Sequence, residues 1–271
     1  MSALYSPSEK GFDERLTAID RCQVALLREI VGQYGSRLVL KGGMAMRAVF
    51  GSMRLTKGID FDRESSLSLD SAKKGLPRAM VRAASVAGIR QPEAEITKLT
   101  ATTIRARLAG QTNGGVAVRF EVEISGRGDP SAQERRKETI VPPQAYGMAP
   151  FLVESYSSDA LAAMKVAAAM SEARNVPRDI YDLYDLLVAG ANPVRLLAPA
   201  PQDVLKRMQA GALSKLEGIG FDLAREELLP YLPPDTRAAL TEDRWLECTL
   251  AVCEALEKWA AEALLLKGLP P

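Results

Sequence analysis

The stretch that decides the fold spans residues 38–62 and reads LVLKGGMAMRAVFGSMRLTKGIDFD. Its pattern predicts a buried strand, a glycine turn, a short helix and a second strand. Alternate residues of a strand share a face, so Asp60 and Asp62 project side by side. Paired carboxylates suit a hard cation such as Mg²⁺, and a glycine turn that opens a helix presents backbone N–H groups to a phosphate. The stretch therefore predicts a nucleotide site.

The composition is that of an ordinary globular chain of 271 residues. Its formal net charge is +1, so nothing global indicates a polyanionic partner, and any nucleic-acid surface must be local. No apolar run approaches the roughly 18 residues of a membrane span, and residues 1–11 lack the apolar core of a signal peptide. Cys22, Cys248 and Cys253 lie in helical patterns that favour buried free thiols. We expect a cytoplasmic protein with no membrane partner.

The sequence contains no histidine. This absence excludes Ser-His-Asp and Cys-His catalysis, histidine general bases and almost every ordinary zinc site. Any chemistry must therefore use carboxylates, lysine, arginine, hydroxyls and backbone groups, together with a metal that prefers oxygen ligands.

Hydrophobic periodicity divides the chain into an α+β part and a helical part. Helix-type spacing covers residues 12–34, and period-two alternation with a hairpin turn at 111–115 covers residues 94–125. The helical pattern resumes at Ser158 and continues to the end. The predicted segments are an N-terminal helix packed on the core (1–36), an α+β domain (37–150) and a helical C-terminal domain (151–271).

The segment 161–170 is apolar on nearly every side and carries Lys165 as its sole charge. A helix of this kind is buried, and a buried ammonium is costly unless an anion meets it. Pro177 is well placed to begin the next helix, on which Asp179 and Asp182 share one face. These charges beside apolar helices indicate a site. The alternative is that Asp179 only favours the helix N-terminus while Lys165 extends to water.

Five pieces of sequence carry a resemblance to a known family. In chain order they are Gly42-Gly43, Arg54-Leu55-Thr56 with Ile59-Asp60-Phe61, Glu123-Ile124-Ser125, Lys165, and Arg178-Asp179-Ile180-Tyr181-Asp182-Leu183. Together they resemble the AbiEii/AbiGii family of nucleotidyltransferase toxins, which includes the MenT toxins and belongs to the DNA polymerase β-like nucleotidyltransferase superfamily. The resemblance spans residues 38–187, with all the pieces in the family's order.

This resemblance implies an α+β fold with a small mixed sheet of nucleotidyltransferase type and flanking helices, followed by an all-helical half. It also implies transfer of a nucleoside monophosphate from an NTP to a hydroxyl, with Mg²⁺ or Mn²⁺ as cofactor. In some family members the acceptor is the 3′ end of a tRNA. Such toxins act in type IV-like toxin–antitoxin or abortive-infection systems. The implied partners are therefore NTP, tRNA or another RNA acceptor, and a cognate antitoxin.

The resemblance also assigns roles to residues. The metal is assigned to Asp60 and Glu123, with Asp62 added from the same strand face. The nucleotide is assigned to Gly42, Gly43, Arg54, Thr56, Lys165 and Arg178. Catalysis is assigned to Asp60, Lys165 and Asp179. Lys165 and Asp179 are thus contributed by the helical domain. Asp179 either positions or deprotonates the incoming hydroxyl, or it binds the nucleotide's sugar.

One position departs from the family pattern, which has an Asp where this chain has Gly58. Asp60 matches the second carboxylate of the pattern, and the first is missing. Asp62 either supplies the pair one step further along the strand or is an ordinary solvated residue. Two other interpretations follow. One is a catalytically decayed fold that binds nucleotide, RNA or a protein, and the other is a helical interaction protein without a site.

Overall fold

The stretch 38–62 folds as a strand, a helix and a second strand within a larger sheet. The computed structural model describes residues 1–128 and 130–269, and the chain divides into two compact units, Met1–Tyr156 and Ser157–Pro271. Residues 129, 270 and 271 of the predicted domains lie outside the described residues. The division follows Tyr156, and not residue 150, because residues 151–156 form a strand of the sheet.

The first unit is built on a mixed sheet. Its strands are β1 (Ser2–Ala3), β2 (Leu38–Lys41), β3 (Gly58–Arg63), β4 (Arg90–Leu99), β5 (Thr103–Gln111), β6 (Ala117–Ser125), β7 (Arg135–Val141) and β8 (Phe151–Tyr156). Among the described residues their order across the sheet is β1-β7-β8-β2-β3-β6-β5-β4. The pairs β1–β7, β2–β8 and β3–β6 are parallel, and the other neighbours are antiparallel. The sequentially distant strands β2, β3 and β6 therefore lie side by side.

Alternation along these strands separates an apolar face from a polar one. In β3 the side chains of Ile59 and Phe61 are buried, as are those of Val122 and Ile124 in β6. The residues between them in sequence carry the carboxylates, which project from the opposite face. The hairpin predicted at 111–115 is confirmed, since β5 and β6 pair antiparallel on either side of it.

The helices of the first unit are α1 (Glu14–Tyr34), α2 (Gly42–Val49) and α3 (Leu69–Val86). Asp13 begins α1 by accepting a hydrogen bond from the Leu16 N–H at 2.7 Å, and Ser68 caps α3 in the same way. Helices α1 and α3 contact each other and the strands β4, β5 and β6. They therefore cover the apolar face of the sheet and leave the carboxylate-bearing face to the site.

The described part of the second unit is helical. Its helices are α4 (Ser158–Ala169), α5 (Pro177–Val188), α6 (Val194–Leu197), α7 (Gln202–Leu216), α8 (Phe221–Glu227), α9 (Pro234–Ala239) and α10 (Glu242–Leu266). Trp245, Leu256 and Trp259 of α10 lie in its buried core. The Trp245 indole N–H donates to the Ile219 carbonyl at 3.0 Å, which satisfies the one polar atom of that side chain.

The predicted α+β class, with a mixed sheet and flanking helices followed by a helical half, is confirmed. The three cysteines are buried free thiols, as expected, and burial raises the pKa of Cys22 to about 12. Within residues 1–128 and 130–269, no helix is long and apolar enough to cross a membrane.

Candidate functional site

A row of charged side chains crosses the polar face of the sheet in the first unit. In the register of β2, β3 and β6, Asp60 pairs with Lys41 on one side and with Glu123 on the other. Residues paired in register on neighbouring strands point the same way. The structure therefore brings together Asp60 and Glu123, which are 63 positions apart in the sequence (123 − 60). We call Lys41, Asp60 and Glu123 the carboxylate row.

The two glycines abut this row at the N-terminus of α2. Gly42 has φ +65°, and a Cβ added there would lie 2.6 Å from Asp60 Oδ2. A Cβ at Gly43 would lie 2.6 Å from Thr56 Oγ1 and 2.9 Å from Arg54 Nη2. The predicted residues Gly42, Gly43, Arg54, Thr56 and Asp60 are thus in one place. The space that side chains would fill is occupied by Asp60 Oδ2, Thr56 Oγ1 and the Arg54 guanidinium. Glycine therefore lets these groups lie directly against the backbone at the start of α2, where N–H groups suit a phosphate.

The loop that carries Arg54 and Thr56 is held by buried hydrogen bonds. Arg54 is 2% exposed, and its Nη1 donates to the Leu55 carbonyl at 3.1 Å. Thr56 Oγ1 donates to the Gly58 carbonyl at 2.9 Å, and Gln23 Nε2 donates to the Thr56 carbonyl at 3.2 Å. These bonds fix the loop against α1 before any ligand arrives.

Glu123 is held by two arginines. Arg105 Nη2 donates to Glu123 Oε2 at 2.7 Å, and Arg127 Nη2 donates to Oε1 at 3.0 Å. Burial is the largest influence on the pKa of Glu123 and raises it. The hydrogen bond and charge of Arg105, with the charges of Arg127 and Lys41, outweigh burial and hold the pKa below its usual value. Glu123 is therefore ionised at neutral pH.

Asp62 is buried, with both carboxylate oxygens engaged. Lys41 Nζ donates to Oδ1 at 2.7 Å, and the Tyr156 hydroxyl donates to Oδ2 at 2.8 Å. In this geometry Asp62 holds Lys41, and it reaches a metal only after exchanging these partners. Sequence reasoning missed Lys41, and the available signal was its position directly before Gly42 at the end of a strand.

The carboxylate row fits Mg²⁺. No group of three or more His, Cys, Asp or Glu residues poised to hold a metal occurs in residues 1–128 and 130–269. Mg²⁺, however, is commonly bound by one or two carboxylates together with waters and substrate phosphates. Asp60 and Glu123 are two such carboxylates, and Asp60 lies against the glycine turn. They are the residues that would hold the ion, with the remaining ligands coming from substrate and water. Like Asp62, Glu123 would first have to exchange one of its partners, Arg105 or Arg127.

Gly58 lies where β3 begins to pair with β6. A Cβ at Gly58 would meet the Glu121 backbone carbonyl oxygen at 2.5 Å. The two parallel strands approach too closely here for any side chain, because backbone cannot move aside as a flexible side chain can. The family's missing carboxylate therefore cannot be restored at this position without moving β3 or β6.

A second charged cluster lies inside the second unit. Lys165 Nζ is 2.8 Å from Asp179 Oδ1 and 2.6 Å from Asp182 Oδ2, and Arg174 Nε donates to Asp179 Oδ2 at 2.6 Å. The side chains of Lys165, Asp179 and Asp182 are 12%, 2% and 0% exposed. Lys165 therefore meets two anions inside the protein and does not extend to water. Arg178 is half-buried in the same first turn of α5 as Asp179.

Opposing influences set the pKa of Asp179. Burial is the largest and raises the pKa. The charge of Lys165 and the hydrogen bonds from Arg174 and Lys165 outweigh it, so the pKa lies below the usual value for Asp. Asp179 is therefore an anion paired with cations at neutral pH.

A buried ion pair that the sequence did not suggest anchors the glycine-led helix. Arg47 on α2 is fully buried and binds Asp20 of α1 through Nε at 2.6 Å and Nη2 at 2.9 Å. The Tyr146 hydroxyl donates to Asp20 at 2.6 Å, and the Arg47 guanidinium lies 4.0 Å from the centre of the Tyr5 ring. This network fixes α2, and with it Gly42 and Gly43, against α1.

Comparison with known proteins points to one family. Residues 25–265 match the family described as nucleotidyl transferase AbiEii toxin of the type IV toxin–antitoxin system. The structure of JHP933 from Helicobacter pylori is similar in fold, with a TM-score of 0.57 and 16% sequence identity, and the match covers 95% of this chain and 99% of that one. MenT4, a nucleotidyltransferase toxin from Mycobacterium tuberculosis, matches with a TM-score of 0.48 and 16% identity, covering 92% of this chain and 88% of that one. No curated protein matches the sequence. Because the family match covers most of the chain, the protein belongs to the AbiEii nucleotidyltransferase toxin family.

Proposed function

We propose that this chain is a Mg²⁺-dependent nucleotidyltransferase toxin that transfers a nucleoside monophosphate from an NTP to a hydroxyl of RNA, with the 3′ end of a tRNA as the acceptor. The acceptor oxygen attacks the α-phosphorus and loses its proton to a base. The bond between the α-phosphorus and the bridging oxygen breaks, and pyrophosphate leaves. A cognate antitoxin and a cytoplasmic location complete the proposal.

The observation that carries this proposal is the convergence of Gly42 and Gly43 on Asp60, with Glu123 beside Asp60 in register. Backbone N–H groups at the start of a helix attract phosphate oxygens. Adjacent carboxylates attract the cation that accompanies a triphosphate. Few other ligands need both kinds of group side by side, and the AbiEii family match points to the same chemistry.

Each residue then has a role that follows from its charge. Asp60 and Glu123 would hold the metal, and Mg²⁺ bound there would supply positive charge against the phosphates. Gly42 and Gly43 cradle the phosphates, and Arg54 and Thr56 support that cradle. Asp62 holds Lys41 in the present geometry, and its role as a third ligand stays a prediction.

The second unit is proposed to supply the remaining charges. Lys165 is assigned the contact with the triphosphate as a compact positive charge, and Arg178 a further contact with the nucleotide. Asp179 is assigned either to the incoming hydroxyl, as positioning group or base, or to the sugar of the nucleotide. In both roles Lys165 must exchange part of its contact with Asp179 or Asp182 for phosphate.

The test is a transfer assay with the purified chain, total tRNA, Mg²⁺ and each of the four NTPs labelled at the α-phosphate. We expect label in the tRNA fraction, with one pyrophosphate released for each nucleotide transferred, and no label when the metal is chelated. Absence of transfer from all four NTPs to tRNA and to other RNAs would overturn the proposal.

A second candidate is a binding module that has lost catalysis. The close approach of Gly58 to the Glu121 carbonyl favours it, because the position of the missing carboxylate is closed to any side chain. Under this candidate the chain binds NTP in equilibrium dialysis but transfers no label in the same buffer. The two candidates thus give opposite results from one preparation.

A further inference from the structure

A groove lined by basic residues runs between α1 and α3, on the side of these helices away from the sheet. Its volume is about 840 Å³, and its charged lining consists of Arg28 and Glu29 from α1 and Lys74, Arg78 and Arg82 from α3. We call it the basic groove. Because α1 and α3 cover the apolar face of the sheet, the groove is separate from the carboxylate row, which projects from the other face.

The positive charges of the groove are regularly spaced. Lys74, Arg78 and Arg82 recur every four residues on α3, which places successive cations about 6 Å apart along the helix. Arg82 Nε donates to Glu29 Oε1 at 2.6 Å, and that contact neutralises the one acidic residue of the lining. In the described ranges, Arg28, Lys74 and Arg78 form no ion pair with a carboxylate. Three cations thus remain for a ligand, in a chain whose formal net charge is only +1.

The floor of the groove depends on small residues. Gly75 faces the Tyr34 hydroxyl and Gln33 Nε2, and a Cβ there would lie 2.5 Å from that Nε2, so a side chain at residue 75 would displace the ends of these side chains. Gly32 on the facing helix leaves open space. The lining contains no aromatic residue among those described, and its apolar members are Ala25, Ala83, Val86 and Met148.

These features select the kind of ligand. Protein partners are usually anchored by aromatic or large apolar side chains in apolar pockets. The described lining of the basic groove has no aromatic residue, and its larger apolar residues are only Val86 and Met148. A backbone of repeated phosphates is instead bound by a track of Lys and Arg that displaces counterions. We propose that the basic groove binds the phosphodiester backbone of RNA at a distance from the hydroxyl that reacts. The choice of RNA as the polyanion rests on the proposed function.

The test measures RNA binding without NTP or Mg²⁺, by fluorescence anisotropy of end-labelled tRNA. The groove variant is the double substitution Lys74→Glu and Arg78→Glu. The matched control is Lys10→Glu with Lys206→Glu, which changes the net charge equally at two exposed lysines outside the groove. All four substituted residues are exposed, and circular dichroism checks that both variants fold.

We expect the groove variant to lose about tenfold or more in affinity and the control to stay within about twofold. Between roughly 50 and 200 mM salt, the slope of log K against log salt should fall by about two for the groove variant, because each of the two basic side chains neutralises one phosphate. Equal losses of affinity in both double variants would overturn the proposal, because binding would then follow net charge. Competition by polyglutamate as effective as that by RNA would also overturn it, since the surface would then suit acidic proteins.

The proposal for the basic groove and the proposed reaction can fail independently of each other. A groove variant that binds tRNA as tightly as the wild type would overturn the proposal that the basic groove binds RNA, whatever the transfer assay shows. A wild-type protein that transfers no label overturns the proposed function. Loss of tRNA binding in the groove variant but not in the control variant would still support RNA binding by the basic groove.

Discussion

The carboxylate row contrasts with the Lys165 cluster, which consists of Lys165, Arg174, Asp179 and Asp182. Both are charged and partly buried, but their charges are balanced in different ways. Around Lys165 two cations face two anions, since Lys165 and Arg174 meet Asp179 and Asp182. At Asp60, in contrast, two glycines bring the start of α2 directly against a carboxylate, whose charge also acts on Arg105. The charges of the first arrangement are balanced within the cluster, whereas we propose that the second binds a metal ion and a phosphate. We therefore expect the Lys165 cluster to govern stability as well as any catalytic role, and Asp60 to govern activity alone.

The largest expected effect is on the stability of the second unit. Asp182→Ala should lower the free energy of unfolding by about 3–5 kcal/mol, because it leaves a buried ammonium with one of its two anions. Both tryptophans of the chain, Trp245 and Trp259, lie in this unit, so their fluorescence during urea denaturation reports its unfolding. Asp203→Ala is the control, since its ion pair with Arg207 is exposed and should be worth less than about 1 kcal/mol. Equal effects of the two substitutions would remove the contrast between the regions.

The next effect concerns activity without stability. Asp60→Asn should reduce nucleotide transfer by more than about 100-fold, because even outer-shell changes at metal sites cost roughly 10–100-fold. Its melting temperature should match that of the wild type. The matched control is Glu121→Gln, which removes a carboxylate from the same face of the neighbouring strand, where it pairs with Arg107. If Glu121→Gln abolishes transfer as completely as Asp60→Asn, the row is not the site.

A third substitution tests the contact at Gly58. Gly58→Asp should destabilise the first unit by about 1–3 kcal/mol through overpacking against the Glu121 carbonyl. It should not raise the transfer rate, although it restores the family's residue. Thermal unfolding and the transfer assay are measured on the same preparation. A stable variant with a higher rate would show that the strands accept a side chain and that the missing carboxylate limits the enzyme.

A smaller effect is expected at Asp62. Asp62→Asn should weaken the hold on Lys41 and raise KM for the NTP by about tenfold, in the lower part of the range for outer-shell residues. The Mg²⁺ concentration for half-maximal transfer should stay within about twofold. The opposite pattern is a large rise in the Mg²⁺ requirement at unchanged KM. It would indicate that Asp62 is a metal ligand and would contradict the role of holding Lys41 in place.

The smallest effect is the acid dependence of the second unit. The pKa of Asp179 is lowered from 3.8 in the folded chain, so its contribution to stability is present above that value and is lost as pH falls through the lower, folded pKa. Urea midpoints from tryptophan fluorescence should decrease at acidic pH in the wild type. Asp179→Asn should flatten part of that decrease, and an unchanged profile would argue against the ion pair.

The residues of the candidate site could be chosen from the sequence because they have unusual neighbours, and their role as a site stays a prediction. Gly42-Gly43 after an apolar strand, alternate aspartates in the next strand and one lysine in an apolar helix each have a direct physical interpretation. The role of Lys41 was missed because a lysine at the end of a strand is usually solvated, and its position directly before Gly42 was the one signal against that interpretation. Arg47 was missed because its partners Asp20 and Tyr146 are distant in sequence, and only the tertiary fold brings them to it.

The sheet was less predictable than the site. Strand β8 (Phe151–Tyr156) has alternating burial with polar residues, follows a proline-containing segment and stands directly before α4. Its place is set by pairing with β2 and β7, which are distant in sequence. Local pattern alone carries no information on such pairing, so the predicted boundary at residue 150 separates this strand from its sheet.

The central claim is that the glycine turn and the carboxylate row together bind a metal–triphosphate. The most direct measurement is a crystal structure of the chain with Mg²⁺ and an NTP that cannot be cleaved at the α-phosphate. We predict a Mg²⁺ ion about 2.0–2.1 Å from oxygens of Asp60 and Glu123, with phosphate oxygens accepting hydrogen bonds from the backbone N–H groups of Gly42 and Gly43. A metal that binds away from Asp60, or a triphosphate that does not contact the glycine turn, would contradict the claim.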